Sequence, residues 1–134
     1  MHMRGSPKNM MNNTNYDDIL NEIKNYFSER ISKAKLDGVN DIIIDPGFGF
    51  SKTKEQNYKL MNRLEFLKEF KTPIVVGISR KSMIYKTLDT TPDNALNGST
   101  ILHTISLLKG ANILRTHDVL EAVECVKIIR QLNL

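Results

Sequence analysis

The 134-residue sequence predicts an α/β chain built on a parallel sheet with crossover helices. Short apolar runs, Ile42–Ile44, Ile74–Ile78 and Ala111–Leu114, alternate with longer stretches whose apolar residues recur at helical steps. The polar landmarks Arg4, Asp45, Ser79 and Arg115 close successive runs at intervals of 41, 34 and 36 residues, the rhythm of the βα unit. No linker or low-complexity segment divides the chain, so one domain over 1–134 is expected.

Met1–Arg4 reads as the end of a strand, broken by Gly5-Ser6-Pro7, and implies that part of the fold precedes it. Residues 8–15 are polar and Asn-rich, a loop. From Tyr16 the residues Ile19, Leu20, Ile23, Phe27, Ile31 and Ala34 mark one helix face, with Asp17 and Asp18 in its first turn and Gly38 at its end. Asp41–Asp45 reads as a strand buried on both faces, and Pro46, Gly47 and Gly49 shape the loop after it. Thr53 and Gln56 have capping-box spacing ahead of a helix carrying Leu60, Met61, Leu64, Leu67 and Phe70. Pro73 opens a second buried run that ends at Ser79-Arg80-Lys81-Ser82. Residues 86–94 read as a polar loop, and Leu96–Leu108 as a helix closed by Gly110. The third run leads into Arg115-Thr116-His117-Asp118. There Asp118 and Glu121 have the spacing of a cap and its partner, ahead of a last amphipathic helix with Val119, Ala122, Val123, Val126 and Ile129.

Composition excludes several classes. No apolar run approaches the ~20 residues of a membrane span, and the N-terminus has no charged-then-apolar signal region. A lone Cys125 excludes an internal disulfide framework and fits a reducing, cytoplasmic setting. The net charge of +4 is scattered over helix faces, without the aromatic interleaving of an RNA platform, so no nucleic-acid partner is expected. There is no Cys pair or His-x-x-x-His for a metal. Ser79 and Ser82 lack a nucleophile elbow, and no Gly-Lys-Ser/Thr phosphate loop occurs.

Ligands of parallel α/β folds gather at the C-terminal ends of the strands. The groups this sequence places there are His2 and Arg4, then Asp45–Phe50, then Arg80, Lys81 and Ser82, then Arg115 and His117. A carboxylate at Asp45 suits the N–H edge of an amino-heterocycle. Lys81, Arg115 and His117 suit an anion such as a phosphate, and Phe50 offers an apolar wall. Each has a plainer reading: Asp45 as a cap for the Pro-Gly turn, Lys81 and Arg80 as an exposed charge pair, His117 as a residue leading into the last helix. His103 reads as packed or solvated, Cys125 as inert, and the role of His2 stays open.

Asp45-Pro46-Gly47-Phe48-Gly49-Phe50, Ser79-Arg80-Lys81-Ser82 and Arg115-Thr116-His117-Asp118, in this order and spacing, resemble dihydropteroate synthase. Met1–Gly5 is similar to the end of that family's fifth strand. The resemblance implies the C-terminal half, strands and helices 5–8, of a (β/α)₈ TIM barrel. It implies a transferase of folate biosynthesis, the target of sulfonamides, that joins p-aminobenzoate to a pterin-methyl pyrophosphate and releases pyrophosphate. Carried over, Met1, Asp45, Lys81 and Arg115 would bind the pterin, Phe50 and Ser82 the p-aminobenzoate, and Arg115 and His117 the pyrophosphate. Lys81, Arg115 and His117 would be the catalytic set. The family also implies Mg²⁺, whose main protein ligand would lie in the first half of the barrel, and a homodimer paired through late helices. Ser51 and Thr116 depart from the family's usual Gly and Val.

A full barrel needs ~250 residues, so the first half is expected to lie outside this sequence, with little or no turnover from the chain alone. Two other classes remain: a non-catalytic pterin-binding module, and half of a corrinoid-type methyltransferase barrel, which would not need the Ser79–Ser82 cluster. A flavodoxin-like signalling domain would want acidic residues after the first strand, where none stand.

Overall fold

The computed structural model describes residues 1–132. Helix α1, Ile19–Leu36, starts three residues later than its apolar phase suggests. The reason is Asp18, whose carboxylate caps the backbone N–H groups of Leu20 and Asn21, so it precedes the helix rather than lying in its first turn. Tyr16 stays outside the helix and turns its hydroxyl to Ser51 at 3.1 Å. At the other end Val39 N–H reaches Ala34 O and Gly38 N–H reaches Lys35 O, a Schellman motif that uses the left-handed Gly38. Ile19, Ile23, Phe27 and Ile31, four residues apart, form the buried stripe.

Helix α2, Lys54–Asn62, begins with the expected capping box of Thr53 and Gln56. It does not run on to Phe70. Residues Leu64–Phe70 form a 3-10 helix, whose three-residue period stacks Leu64 and Leu67 on the core. Strand β1, Val75–Val76, pairs in parallel with β2, Ile113–Leu114, in the register Val75 to Ile113. Ile44 joins the other side of β1 through a parallel bridge to Ile74. His2 N–H adds the first segment through one bond to Asp45 O at 2.9 Å. The runs therefore lie side by side in chain order, as the βα rhythm requires. Helix α3, Ser82–Tyr85, is a single turn; α4, Leu96–Leu108, and α5, Val119–Gln131, complete the layer of helices.

The expectation of strands buried on both faces is corrected. One face, carrying Ile44, Ile74 and Val76, is packed on the helices. The other, carrying Ile43 and Ile113, is open, with Ile43 55% exposed. Side chains alternate along a strand, so Asp45, Gly77 and Arg115 share the open face with Ile43, Val75 and Ile113. The second correction is Asp118. It makes no side-chain cap for α5, because both its oxygens are taken by Arg80.

Candidate active site

The turn after Ile44 is built around its own polar groups. Asp45 Oδ1 accepts from Gly47 N–H at 2.8 Å, the capping role its plainer reading assigned. Among the described residues no donor reaches the second oxygen. Gly47 and Gly49 both have positive φ, which a side-chain-bearing residue there would strain. Asn57, buried in α2, accepts from Gly49 N–H at 2.8 Å and returns its amide to the carbonyls of Lys52 and Thr53. Phe50 is left half-buried at the edge of the turn.

Arg80 and Lys81 are adjacent in sequence and separate in role. Arg80 adopts a left-handed φ of 53°. Its guanidinium grips Asp118 with two bonds, 3.0 and 2.6 Å, and approaches Asp93, tying the loop after β1 to the loop before α5. The chain then carries Lys81 towards the turn of Asp45. Lys81 Nζ lies 4.3 Å from the centroid of the Phe50 ring. Burial and the Arg115 guanidinium push the Lys81 amine below its usual range, and Asp45 opposes them. The exposed-pair reading of Arg80 and Lys81 is thereby replaced by one structural clamp and one half-buried amine.

Arg115 lies along the open face over Gly77. A Cβ on Gly77 would come within 2.8 Å of a terminal guanidinium nitrogen and 2.9 Å of Nε, so the absent side chain is what admits the arginine. Neither the Arg115 guanidinium nor the Lys81 amine has a hydrogen-bond partner among the described residues. His117 is exposed and anchored from behind. Ser79 Oγ accepts its backbone N–H at 3.2 Å and stands 3.0 Å from Nδ1. Together these two contacts fix the position of the His117 ring against the end of β1.

Ser82 begins α3, half-buried beside Lys81. Met1 lies at the edge of the sheet, next to the His2–Asp45 bond, and is 47% exposed. Asp45, Phe50, Lys81 and Arg115 therefore converge, with Ser82 and His117 on the same two loops and Met1 at the border. His103 is buried within α4, as its packed reading anticipated, and Nε2 has no partner among the described residues. Cys125 is buried with its thiol against Thr100 O and Thr104. Sequence reasoning missed Gly77, although a glycine inside an apolar run signals close approach. It also missed Lys52 and Asn57, which carry no such signal.

Among the described residues no three His, Cys, Asp or Glu side chains gather as a metal-binding group. The donor set of these residues does not fit a resident Mg²⁺. No helix of the described residues is long and apolar enough to cross a membrane.

Known proteins share this arrangement. The family model described as "pterin binding enzyme" matches residues 1–117. Dihydropteroate synthase of Escherichia coli K12 is 41% identical over 131 residues, which are 96% of this chain and 46% of that relative. The Yersinia pestis dihydropteroate synthase, solved in complex with a sulfonamide drug, superimposes with a TM-score of 0.95 at 39% identity, covering 98% of this chain and 49% of that one. The Thermus thermophilus enzyme in complex with 4-aminobenzoate gives a TM-score of 0.94 at 33% identity, covering 98% and 52%. The chain thus spans about half the length of the relatives it matches, and its fold is the C-terminal half of their barrel. With the strand-end motifs, the open sheet face and the matched residues in agreement, the chain belongs to the pterin binding enzyme family.

Proposed function

We propose that the chain supplies half of a dihydropteroate synthase site, condensing 6-hydroxymethyl-7,8-dihydropterin pyrophosphate with p-aminobenzoate to 7,8-dihydropteroate and pyrophosphate. One observation carries this reading. A carboxylate with an oxygen to spare, a half-buried amine and an unpaired guanidinium meet at one end of parallel strands. Asp45 accepts from the amino and ring N–H groups of the pterin, over a floor bordered by Met1. Lys81 donates to the pterin and borders the aryl pocket, where Phe50 walls the ring and the Ser82 hydroxyl meets the carboxylate. Arg115 covers the pterin and, with His117, holds the pyrophosphate.

These placements suit an ionising displacement. As the carbon–oxygen bond to pyrophosphate breaks, both electrons leave with the oxygen, and fixed donors at that oxygen stabilise the growing charge. The p-aminobenzoate nitrogen then attacks the pterin methylene carbon and loses one proton.

The test is calorimetric titration of the 134-residue chain with the pterin and pyrophosphate, followed by p-aminobenzoate. Ordered binding, with p-aminobenzoate taken up only after the other two, is expected. Pterin binding indifferent to p-aminobenzoate would instead identify a non-catalytic module. Lys81→Ala is expected to lower pterin affinity by about tenfold, the loss of one charge-assisted bond, and to move the melting temperature by less than about 2 °C because the amine is only half-buried. Gly77→Ala is expected to displace the flexible end of Arg115 rather than the sheet. Pyrophosphate affinity should then fall about as far as in Arg115→Ala, with stability within about 1 kcal/mol of wild type; unchanged affinity would remove Arg115 from the anion site.

A further inference from the structure

The turn after Asp45 is held from beneath by a side chain that the proposed chemistry does not use. Lys52 is 2% exposed. Its amine has three partners, each at 3.0 Å: the carbonyl oxygens of Gly47 and Phe50, and Nδ1 of His2. It thus ties both ends of the turn to the first segment of the sheet. On the opposite side the turn touches the site. The Phe50 ring faces Lys81 Nζ, and a Cβ on Gly49 would stand 3.1 Å from Lys81 Cδ. Moving the turn therefore moves the wall against which Lys81 is packed.

We propose that Lys52 is a positioning residue whose amine sets where the Gly47–Phe50 turn stands against Lys81, and so sets the shape of the aryl side of the site. The link to the site rests on the proposed function; the seating of the turn does not. An ammonium donates to all three acceptors. A neutral amine donates to the two carbonyls and accepts from His2, which requires the imidazole proton to sit on Nδ1 instead of Nε2. The ammonium's charge-assisted bonds to the two carbonyls are shorter and stronger than the amine's, so the two charge states seat the turn differently.

The surroundings bring both states within reach. Burial lowers the Lys52 amine to about 7, with Lys81 acting in the same direction and Asp45 and Glu22 opposing. Burial, Lys52, Arg4 and the N-terminus hold His2 neutral down to about 3. Glu22 is itself paired with Arg4 and lies 4.0 Å from His2 Nε2.

The experiment is nuclear magnetic resonance on the whole 134-residue chain without ligand, so its outcome does not depend on whether the chain binds a pterin. Three amides report on the turn: Gly47, bonded to Asp45; Gly49, bonded to Asn57; and Phe50, bonded to Gly47. In the wild type these amides, the Phe50 ring and the Lys81 side-chain carbons are expected to shift together between about pH 5.5 and 8.5, with one midpoint near 7. In Lys52→Met that shared midpoint is expected to vanish. The three amides should also exchange at least about tenfold faster, while the sheet amides of Val75 and Arg115 exchange as before. Turn resonances that stay level with pH in the wild type would overturn the proposal, as would a midpoint and exchange rates retained in Lys52→Met. If Lys52→Met does not fold, the wild-type titration alone decides.

Discussion

Gly47→Ala is expected to cost the fold about 3 kcal/mol or more, although it adds only one methyl group to a turn. Gly47 has a φ of 72°, a conformation that costs an L-residue roughly 1–2 kcal/mol. Its added Cβ would land inside the van der Waals shell of the His2 carbonyl oxygen and 3.4 Å from Lys52 Nζ. The obstacle is backbone, and that backbone cannot step back without breaking the bond from His2 N–H to Asp45 O. Its loss adds about 1 kcal/mol, and overpacking around buried His2 adds a similar amount. Against a typical domain stability of about 5–15 kcal/mol this is a large fraction, read as a fall in melting temperature of roughly 10 °C. Gly38→Ala is the control. Gly38 also has positive φ, at 83°, but nothing among the described residues lies within 4 Å of its missing Cβ, so only the conformational cost of about 1 kcal/mol remains. Equal melting temperatures for the two variants would show that the turn does not bear on the first segment at all.

The same local chemistry explains what could be read from the sequence. Gly38 after Leu36 and the Thr53–Gln56 pair act within one turn of their own helix, so their spacing alone predicts a left-handed glycine end, which the structure completes as a Schellman motif, and the capping box. The parallel arrangement was legible because three apolar runs recur at βα intervals, and a parallel sheet brings every strand's C-terminal end to one edge. That argument places Asp45, Lys81 and Arg115 together without any contact being known. It fails where a distant group decides. Asp118 has good cap spacing, yet Arg80, 38 residues away in sequence, takes its carboxylate. Arg80 and Lys81 look like one charge pair until the left-handed backbone at Arg80 sends the first to Asp118 and the second to Phe50. The open face was equally illegible, because Ile43 and Ile113 have the composition of buried strands whether or not anything covers them. Lys52 is the extreme case. Lysine is a surface residue by default, and two of its three acceptors are main-chain carbonyls that no side-chain motif records.

Burial of His2 and Lys52 makes an alkaline-shifted stability profile the second large expected effect. His2 is held neutral down to about 3, whereas an unfolded histidine takes up its proton near 6.5. Between those values the unfolded chain binds a proton that the folded chain does not, so stability rises with pH. Lys52 repeats this at higher pH. Its amine titrates at about 7 in the fold and at 10.5 when unfolded, so stability rises again above pH 7. Below pH 7 both states hold the Lys52 proton and that contribution is absent. His103 and Lys81, also lowered by burial, act with the same sign. Each unit of pH inside either window contributes up to about 1.4 kcal/mol. Raising the pH from about 5 to about 9 should therefore add about 5 kcal/mol, of which Lys52 supplies somewhat more than half. Above about pH 10 the raised Tyr16 hydroxyl works in the opposite direction, and the Lys52 contribution is complete once the pH passes 10.5. Urea denaturation across this range checks the profile. In Lys52→Met the limb between about pH 7 and 9 should flatten, while the limb below 6.5 persists through His2. A wild-type stability that is level or falling from pH 7 to about 9 would mean that the folded chain keeps Lys52 charged, its three acceptors outweighing the loss of water.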